Sequence, residues 1–175
     1  MDYAIPPANG QITLRRFNVD DVPGTYEWVS GSWYTGDFAG SAAVTPEAHD
    51  KYFKRVLEDR EQVFLAVCED GHHIGNAGLK CFDSGTCECW YYIGDASRRG
   101  KGHASRIVSL LCMVAFSIDS VNCVKARVLT TNIKSSRALL ANGFVECGVT
   151  VDERGRAFTL YEKSRQARCS SRRTK

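Results

Sequence analysis

A glycine-rich segment with basic residues, Arg98 to Ala104, is the part of the sequence best suited to chemistry. It reads Arg-Arg-Gly-Lys-Gly-His-Ala and lies between an extended run and a long apolar helix. Glycines let backbone N–H groups turn toward a bound anion, and a helix N-terminus adds partial positive charge. The segment therefore predicts a phosphate cradle. Gly100 and Gly102 also fit a second interpretation, relief of crowding in a tight strand-to-helix turn.

Two familiar phosphate motifs do not fit this segment. A P-loop needs Ser or Thr directly after its lysine, whereas Lys101 is followed by Gly102. The third glycine of a dinucleotide-binding fingerprint is also missing at its expected spacing. Any phosphate site here must therefore belong to a different architecture.

The elements that position this segment are predicted from hydrophobic periodicity and turn residues. Extended runs are predicted at residues 12–17, 62–69, 73–82, 86–94, 123–129, 144–151 and 157–162. Helices are predicted from an N-cap at Asp20 or Asp21 to Val29, from Thr45 to Asp59, from the glycine-rich segment to Ile118, and over 133–142. Hairpin turn residues at 70–71 and 83–85 join the second to fourth runs into an antiparallel meander. This order predicts a mixed α/β layer fold.

Composition bounds the class of protein. The chain has 175 residues, of which 43% are hydrophobic and 25% charged, so it fits one globular domain, expected at residues 1–163. No run approaches the roughly 18 apolar residues that span a bilayer. The N-terminus also lacks a basic stretch followed by an apolar block. We therefore expect a soluble cytoplasmic protein without a membrane partner.

The C-terminus is strongly basic. Residues 163–175 hold six basic residues and no acidic one, so the rest of the chain is net negative although the formal total is +3. An electrostatic arm for nucleic acid and a solvated terminus both fit this charge. The solvated terminus is favoured, because no aromatic residues interleave with the charges as a stacking platform would need. We expect residues 164–175 to form a basic tail, and we expect no nucleic-acid partner.

The cysteines are interpreted as buried free thiols rather than a disulfide framework. The chain has 8 cysteines, most of them inside apolar runs. Cys81, Cys87 and Cys89 suggest a metal site, but no CxxC pair occurs, and the last two share one face of a strand. No metal is therefore expected.

The glycine-rich segment resembles the R/Q-x-x-G-x-G/A signature of the GNAT N-acetyltransferases over Arg99 to Ala104. The run at 88–95 resembles the strand before that signature, and Asn132 to Phe144 resembles the family's later N-x-x-S and GF segment. The resemblance covers residues 12–163 and favours the subgroup that acts on ribosomal proteins and amino-sugar nucleotides. It implies a predominantly antiparallel central sheet with a V-shaped splay between two parallel strands, 88–94 and 123–129, flanked by about four helices.

The resemblance also implies that acetyl-coenzyme A (acetyl-CoA) is the cosubstrate and gives its acetyl group to a primary amine. By similarity, its pyrophosphate lies on the glycine-rich segment and its pantetheine arm lies in the splay. A backbone N–H near Tyr92 or Ile93 would then face the developing oxyanion. Asn132 has two interpretations, a contact to the cofactor and a helix N-cap. The implied cofactor-binding residues are Tyr92, Ile93, Arg98, Arg99, Gly100, Lys101, Gly102, His103, Ala104 and Asn132.

Two side chains are candidates for catalytic proton transfer. Glu88 matches a glutamate common at that place in related acetyltransferases and is the candidate base. The alternative is an exposed strand residue bonded to a neighbour. Many family members place a tyrosine seven residues after the asparagine to protonate the leaving thiolate, but this sequence has Leu139 there. Ser135 is then the candidate donor to the thiolate, with capping of its own helix as the competing explanation.

The acceptor amine is expected to bind at residues 26–44, the least regular part of the chain, where Trp33, Tyr34 and Phe38 could wall a pocket. This segment resembles acetyltransferases that act on amino-sugar nucleotides, which makes such a nucleotide the leading hypothesis. A protein N-terminus, a polyamine and an aminoglycoside are alternative acceptors. A catalytically silent acetyl-CoA-binding module is the alternative outside enzymes. The expected partner is a small-molecule amine, and a homodimer is compatible with this interpretation.

Overall fold

A computed structural model describes residues 2–8, 11–30 and 44–165 of the chain. The strands are β1 Ile12–Arg16, β2 Val63–Glu69, β3 His72–Asp83, β4 Thr86–Ile93, β5 Cys123–Leu129, β6 Val145–Val151 and β7 Ala157–Ser164. The α-helices of these ranges are α1 Val22–Ser30, α2 Pro46–Glu58, α3 His103–Ser117 and α4 Ile133–Ala141. Short 3₁₀ helices at Val19–Asp21 and Ala96–Arg98 precede α1 and the glycine-rich segment.

The strands form one sheet that is divided near its centre. Their order is β1-β2-β3-β4-β5-β7-β6, and the parallel pair is β4 with β5. That pairing covers only Thr86 to Glu88 against Cys123 to Lys125. Beyond it, β4 continues along β3 to Ile93, and β5 continues along β7. The predicted mixed sheet with a splay between these two strands is therefore confirmed.

Helix α3 contributes more buried residues to the core than any other described helix. Ile107, Leu111 and Val114 are fully buried, and Leu110 is 2% exposed. These residues recur at helical spacing, so one stripe of α3 faces the sheet and packs against β1, β3 and β4. The apolar face that the periodicity predicts for this helix is confirmed. The packing fixes the start of α3 beside the ends of β2 and β4.

The opposite face of the sheet is covered by α1 and α2. Phe17 stacks on Phe53 of α2 at 5.1 Å between ring centroids. Thr25 of α1 and His49 of α2 are both buried, and their Oγ1 and Nε2 atoms lie 2.8 Å apart. Burial lowers the pKa of His49, so the neutral imidazole is favoured in this contact. The two helices are therefore joined to each other by a polar contact inside an apolar layer.

The start of the first helical segment differs from the prediction. Asn18, rather than Asp20 or Asp21, is the N-cap, and its side chain accepts from the N–H of Asp20. Asp21 is buried, and its carboxylate accepts two hydrogen bonds from the guanidinium of Arg15 and one from the N–H of Asn18. The carboxylate of Asp21 therefore pairs with Arg15, six positions earlier, and also completes a capping box with Asn18.

The folded part of the chain extends beyond residue 163. β7 runs to Ser164, and the guanidinium of Arg165 donates to the carbonyls of Phe116, Ile118 and Val121 at the end of α3. The remainder of the predicted tail, residues 166–175, lies outside the described residues, as do residues 31–43 of the predicted acceptor segment. In the ranges that are described, no helix is long and apolar enough to cross a membrane.

Candidate active site

The glycine-rich segment leaves the first turn of α3 without a side-chain cap. Gly102 is the N-cap, and it and Gly100 have φ values of 83° and 77°, which an L-residue rarely adopts. A Cβ at either position would meet no atom within 4 Å. Backbone conformation therefore explains the two glycines, and relief of crowding does not. Backbone N–H groups at this helix start are available to an anion from the open side.

The basic side chains around this turn bind the protein itself. Arg98 donates to Oε2 of Glu69 at 2.6 Å, and Arg99 donates to the carbonyls of Ile93 and Gly94. His103 Nε2 lies 2.8 Å from Oε1 of Glu69, outside hydrogen-bond geometry. These contacts hold the turn against the ends of β2 and β4. Arg98, Arg99 and His103, predicted to bind the cofactor, thus position the backbone in this structure.

Glu69 is the functional candidate that sequence reasoning missed. Its side chain is 2% exposed, and Gln11 donates to it at 3.1 Å in addition to the contacts from Arg98 and His103. A carboxylate with this burial needs paired donors, which only the folded chain brings together. In the sequence it is a charged residue that closes an apolar run and carries no further signal.

We expect Glu69→Gln to loosen the turn. The guanidinium of Arg98, which is 37% exposed, would lose its charged partner, which should lower the free energy of unfolding by roughly 2 kcal/mol. Urea denaturation measures this loss. Glu146→Gln on β6 is the control, because Glu146 is exposed. Equal stability of the two variants would contradict the role given to Glu69.

A cavity of about 170 Å³ occupies the splay between β4 and β5. It begins where the pairing of the two strands stops, and helix α4 closes one side. The described residues that line it are Lys80, Glu88, Cys89, Trp90, Tyr91, Ala126, Arg127, Val128, Leu129, Asn132, Ser135, Leu139 and Phe158. The structure therefore brings Glu88, Asn132 and Ser135, three residues predicted from the sequence, to one cavity.

Glu88 has access to the cavity but is not deeply buried. Its side chain is 30% exposed, and Oε1 lies 3.4 Å from Nζ of Lys80 on the neighbouring strand. The two interpretations of Glu88 therefore both apply: its carboxylate lines the cleft, and it is also a strand residue paired with a neighbour. The pairing with Lys80 limits how tightly Glu88 can hold another cation, because that cation would have to displace Lys80.

Asn132 and Ser135 lie at the start of α4. The side-chain oxygen of Asn132 accepts from the N–H of Ser135 at 3.2 Å, so Asn132 is the N-cap. The hydroxyl of Ser135 instead lies 3.1 Å from the phenolic oxygen of Tyr91. Capping therefore explains Asn132, while the Ser135 side chain faces the cavity.

The side chain of Tyr92 stands apart from this cavity. The Tyr92 side chain is 5% exposed, and its hydroxyl accepts from Asn76 at 2.6 Å. It lies on the face of β4 opposite to the side chain of Tyr91. Any contact between Tyr92 and the cofactor would therefore come from its backbone. Trp33, Tyr34 and Phe38 lie outside the described residues.

The two parts of the site lie at opposite ends of one strand. Five residue steps of β4 separate Glu88 from Ile93, a rise of about 17 Å in an extended chain. The uncapped helix start adjoins the Ile93 end, and the cavity adjoins the Glu88 end. Between them, the edge of β4 is unpaired with β5 and presents backbone groups to the gap. A ligand with an anionic end and an extended arm would fit this arrangement.

A divided mixed sheet followed by an uncapped helix start is the arrangement that the resemblance to the GNAT N-acetyltransferases implies. Residues 11–145 match the model of the acetyltransferase (GNAT) domain. The chain therefore belongs to the GNAT acetyltransferase family, as the sequence resemblance indicates, and is an acetyl-CoA-dependent N-acetyltransferase.

Solved structures with the same fold are distant in sequence. Spermidine N-acetyltransferase from Vibrio cholerae, in complex with CoA and spermine, has a TM-score of 0.80 at 18% identity, covering 89% of this chain and 96% of that one. Aminoglycoside acetyltransferase AAC(6')-Ib, in complex with paromomycin and acetyl-CoA, has a TM-score of 0.77 at 23% identity, covering 93% and 98%. Ribosomal-protein-S5-alanine acetyltransferase from Vibrio fischeri has a TM-score of 0.74 at 18% identity, covering 89% and 94%. No curated protein matches the sequence.

No group of three or more His, Cys, Asp or Glu side chains in the described ranges is arranged to hold a metal ion. The cysteines in these ranges are free, and Cys68, Cys87, Cys89 and Cys112 are buried, as expected. Cys81 and Cys147 are exposed instead.

Proposed function

We propose that this chain binds the pyrophosphate of acetyl-CoA on the backbone of residues 99–104 and at the start of α3. The supporting observation is the uncapped helix start, in which Gly100 and Gly102 adopt left-handed conformations with open space beside them. The pantetheine arm would follow the unpaired edge of β4, and the thioester would reach the cavity in the splay. Lys101 is exposed and adds positive charge at the rim.

In this proposal the acetyl transfer takes place beside Glu88. The neutral amine attacks the thioester carbon, and a backbone N–H on the unpaired edge of β4 beside the cavity donates to the developing oxyanion. Tyr92 and Ile93, the predicted donors, lie roughly 13 and 17 Å along the strand from Glu88, so a donor nearer to Glu88 is required. Glu88 accepts the amine proton, directly or through water. Its position on the cavity lining supports this role, and its pairing with Lys80 keeps the carboxylate near the cleft.

For the acceptor, we propose the amino group of an amino-sugar nucleotide. The resemblance of residues 26–49 to enzymes of that class supports it, as does the structural likeness to an enzyme bound to the aminoglycoside paromomycin. Trp33, Tyr34 and Phe38 are the proposed walls of the acceptor pocket. A polyamine is the second candidate, because the spermidine enzyme shares the fold and because the chain without its basic terminus is net negative.

The experiment is an acetyl-CoA-dependent thiol-release assay against amino-sugar nucleotides, aminoglycosides, polyamines and peptides. We expect the highest kcat/KM with an amino-sugar nucleotide. A preference of tenfold or more for spermidine would favour the polyamine proposal. CoA binding without transfer to any amine of the panel would support a catalytically silent module.

Other expectations stay predictions. They are the single domain at residues 1–163, the basic tail without a nucleic-acid role, the homodimer and the cytoplasmic location. Deletion of residues 166–175 tests the tail, since unchanged affinity for polynucleotides would remove the only feature that suggests such binding.

A further inference from the structure

Breaking a thioester produces a thiolate that must be stabilised. An ordinary thiol has a pKa of about 8.5, so a proton donor near the departing sulfur assists this step. Among the described residues that line the cavity, the hydroxyl groups are those of Tyr91 and Ser135. Their oxygens lie 3.1 Å apart, and either can be the donor.

The surroundings of this hydroxyl pair favour protonation of the departing sulfur, because an apolar cavity destabilises a free thiolate. Tyr91 packs against the core beside α3 and α4, and burial raises the pKa of its phenol, an effect the Ser135 contact only partly offsets. The phenol therefore stays protonated at neutral pH. Ser135 lies in the first turn of α4, whose N-terminus adds partial positive charge. Leu139, one turn further along α4, is 2% exposed and makes that side of the cavity apolar.

Other proton donors on the cavity lining are engaged or unsuited. Lys80 pairs with Glu88 at 3.4 Å. The guanidinium of Arg127 lies over the ring of Phe158 at 4.6 Å. Cys89 is buried, and its thiol is a weaker hydrogen-bond donor than a hydroxyl. The Tyr91 and Ser135 pair is thus the neutral, hydrogen-bonded donor of this cavity.

We propose that Tyr91 is the proton source for the leaving thiolate and that Ser135 relays the proton. The proposal rests on acetyl-CoA binding in the splay, as set out above. The amine nitrogen forms a C–N bond to the acetyl carbon, the C–S bond breaks, and its electron pair goes to sulfur. The sulfur takes the hydroxyl proton of Ser135, and the oxygen of Ser135 takes the phenol proton of Tyr91. The amine proton passes to Glu88 and then to water, and solvent returns a proton to Tyr91.

Tyr91→Phe tests this inference, because it removes the hydroxyl and keeps the ring in the core. We expect kcat to fall by about 30-fold or more while the KM of acetyl-CoA changes by less than about threefold. Ser135→Ala should produce a similar loss. The double variant should be no slower than the slower single variant, because both groups act on one proton. Tyr161→Phe is the matched control, since Tyr161 is buried in the same core but does not line the cavity.

Calorimetric titration with CoA and with desulfo-CoA, which lacks the sulfur, separates proton donation from packing. At a pH of about 9, the unaltered chain should bind CoA about tenfold more tightly than desulfo-CoA, and Tyr91→Phe should lose most of this preference. A kcat of Tyr91→Phe within about twofold of the unaltered value, with CoA still bound, would overturn this inference alone. Failure of the unaltered chain to bind CoA would overturn the proposed cofactor site as well.

Discussion

Replacing Gly102 with Glu is expected to abolish binding of CoA while the chain still folds. The new carboxylate would lie at the N-terminus of α3, where the pyrophosphate is proposed to bind, and would occupy the anion site itself. A Cβ there meets no atom within 4 Å, so the fold has room for the side chain. We expect the Kd of CoA to rise by more than about 100-fold, measured by calorimetric titration.

Gly155→Glu is the control for this substitution. Gly155 has φ 74°, close to the 83° of Gly102, and a Cβ there also meets no atom within 4 Å. Both variants therefore carry the same left-handed strain, roughly 1 to 2 kcal/mol, and the same added charge. Gly155 lies in the turn between β6 and β7. Equal CoA affinity of the two variants would show that the start of α3 is not the phosphate site.

Glu88→Gln is expected to slow the acetyl transfer with little effect on cofactor affinity. The amide keeps the size of the side chain but cannot accept the amine proton as a carboxylate does. We expect kcat to fall by about 100-fold or more, while the KM of acetyl-CoA changes by less than about twofold. The measurement is a steady-state assay over a range of pH with the preferred amine of the panel.

Glu162→Gln is the matched control for the loss of a strand carboxylate. Glu162 pairs with Lys125 at 3.8 Å, as Glu88 pairs with Lys80, but it does not line the cavity. This variant should keep the unaltered rate. If Glu88→Gln also keeps that rate at every pH, Glu88 is not the base, and water bound elsewhere in the cleft must accept the proton.

The fold was predictable because its signals are local. The buried stripe of α3 follows from residues three and four apart, and the hairpin turns follow from Asp-Gly and Asp-Ser-Gly. The strand at Cys123–Leu129 and the start of α2 after Thr45 agree with the prediction, because residues next to each element mark where it begins or ends. Neither element depends on a distant partner for its bounds.

The side-chain geometry of the site could not be predicted, because its partners are distant in sequence. Glu69 meets Arg98 across 29 positions, and Tyr91 meets Ser135 across 44. The arginines of the signature segment suggest phosphate ligands, yet Arg98 and Arg99 bind a buried carboxylate and two carbonyls. Sequence identifies the segment that can cradle an anion. Only the fold determines which of its groups remain available.

The most direct test is amide NMR of the ¹⁵N-labelled chain titrated with CoA. We expect the largest shift changes at the amides of residues 99–104, followed by those of Tyr92 and Ile93 along the unpaired edge of β4. The amide of Gly155, at the far turn, should stay unchanged. Saturable CoA binding that leaves the amides of residues 99–104 unmoved would rule out pyrophosphate binding at the start of α3.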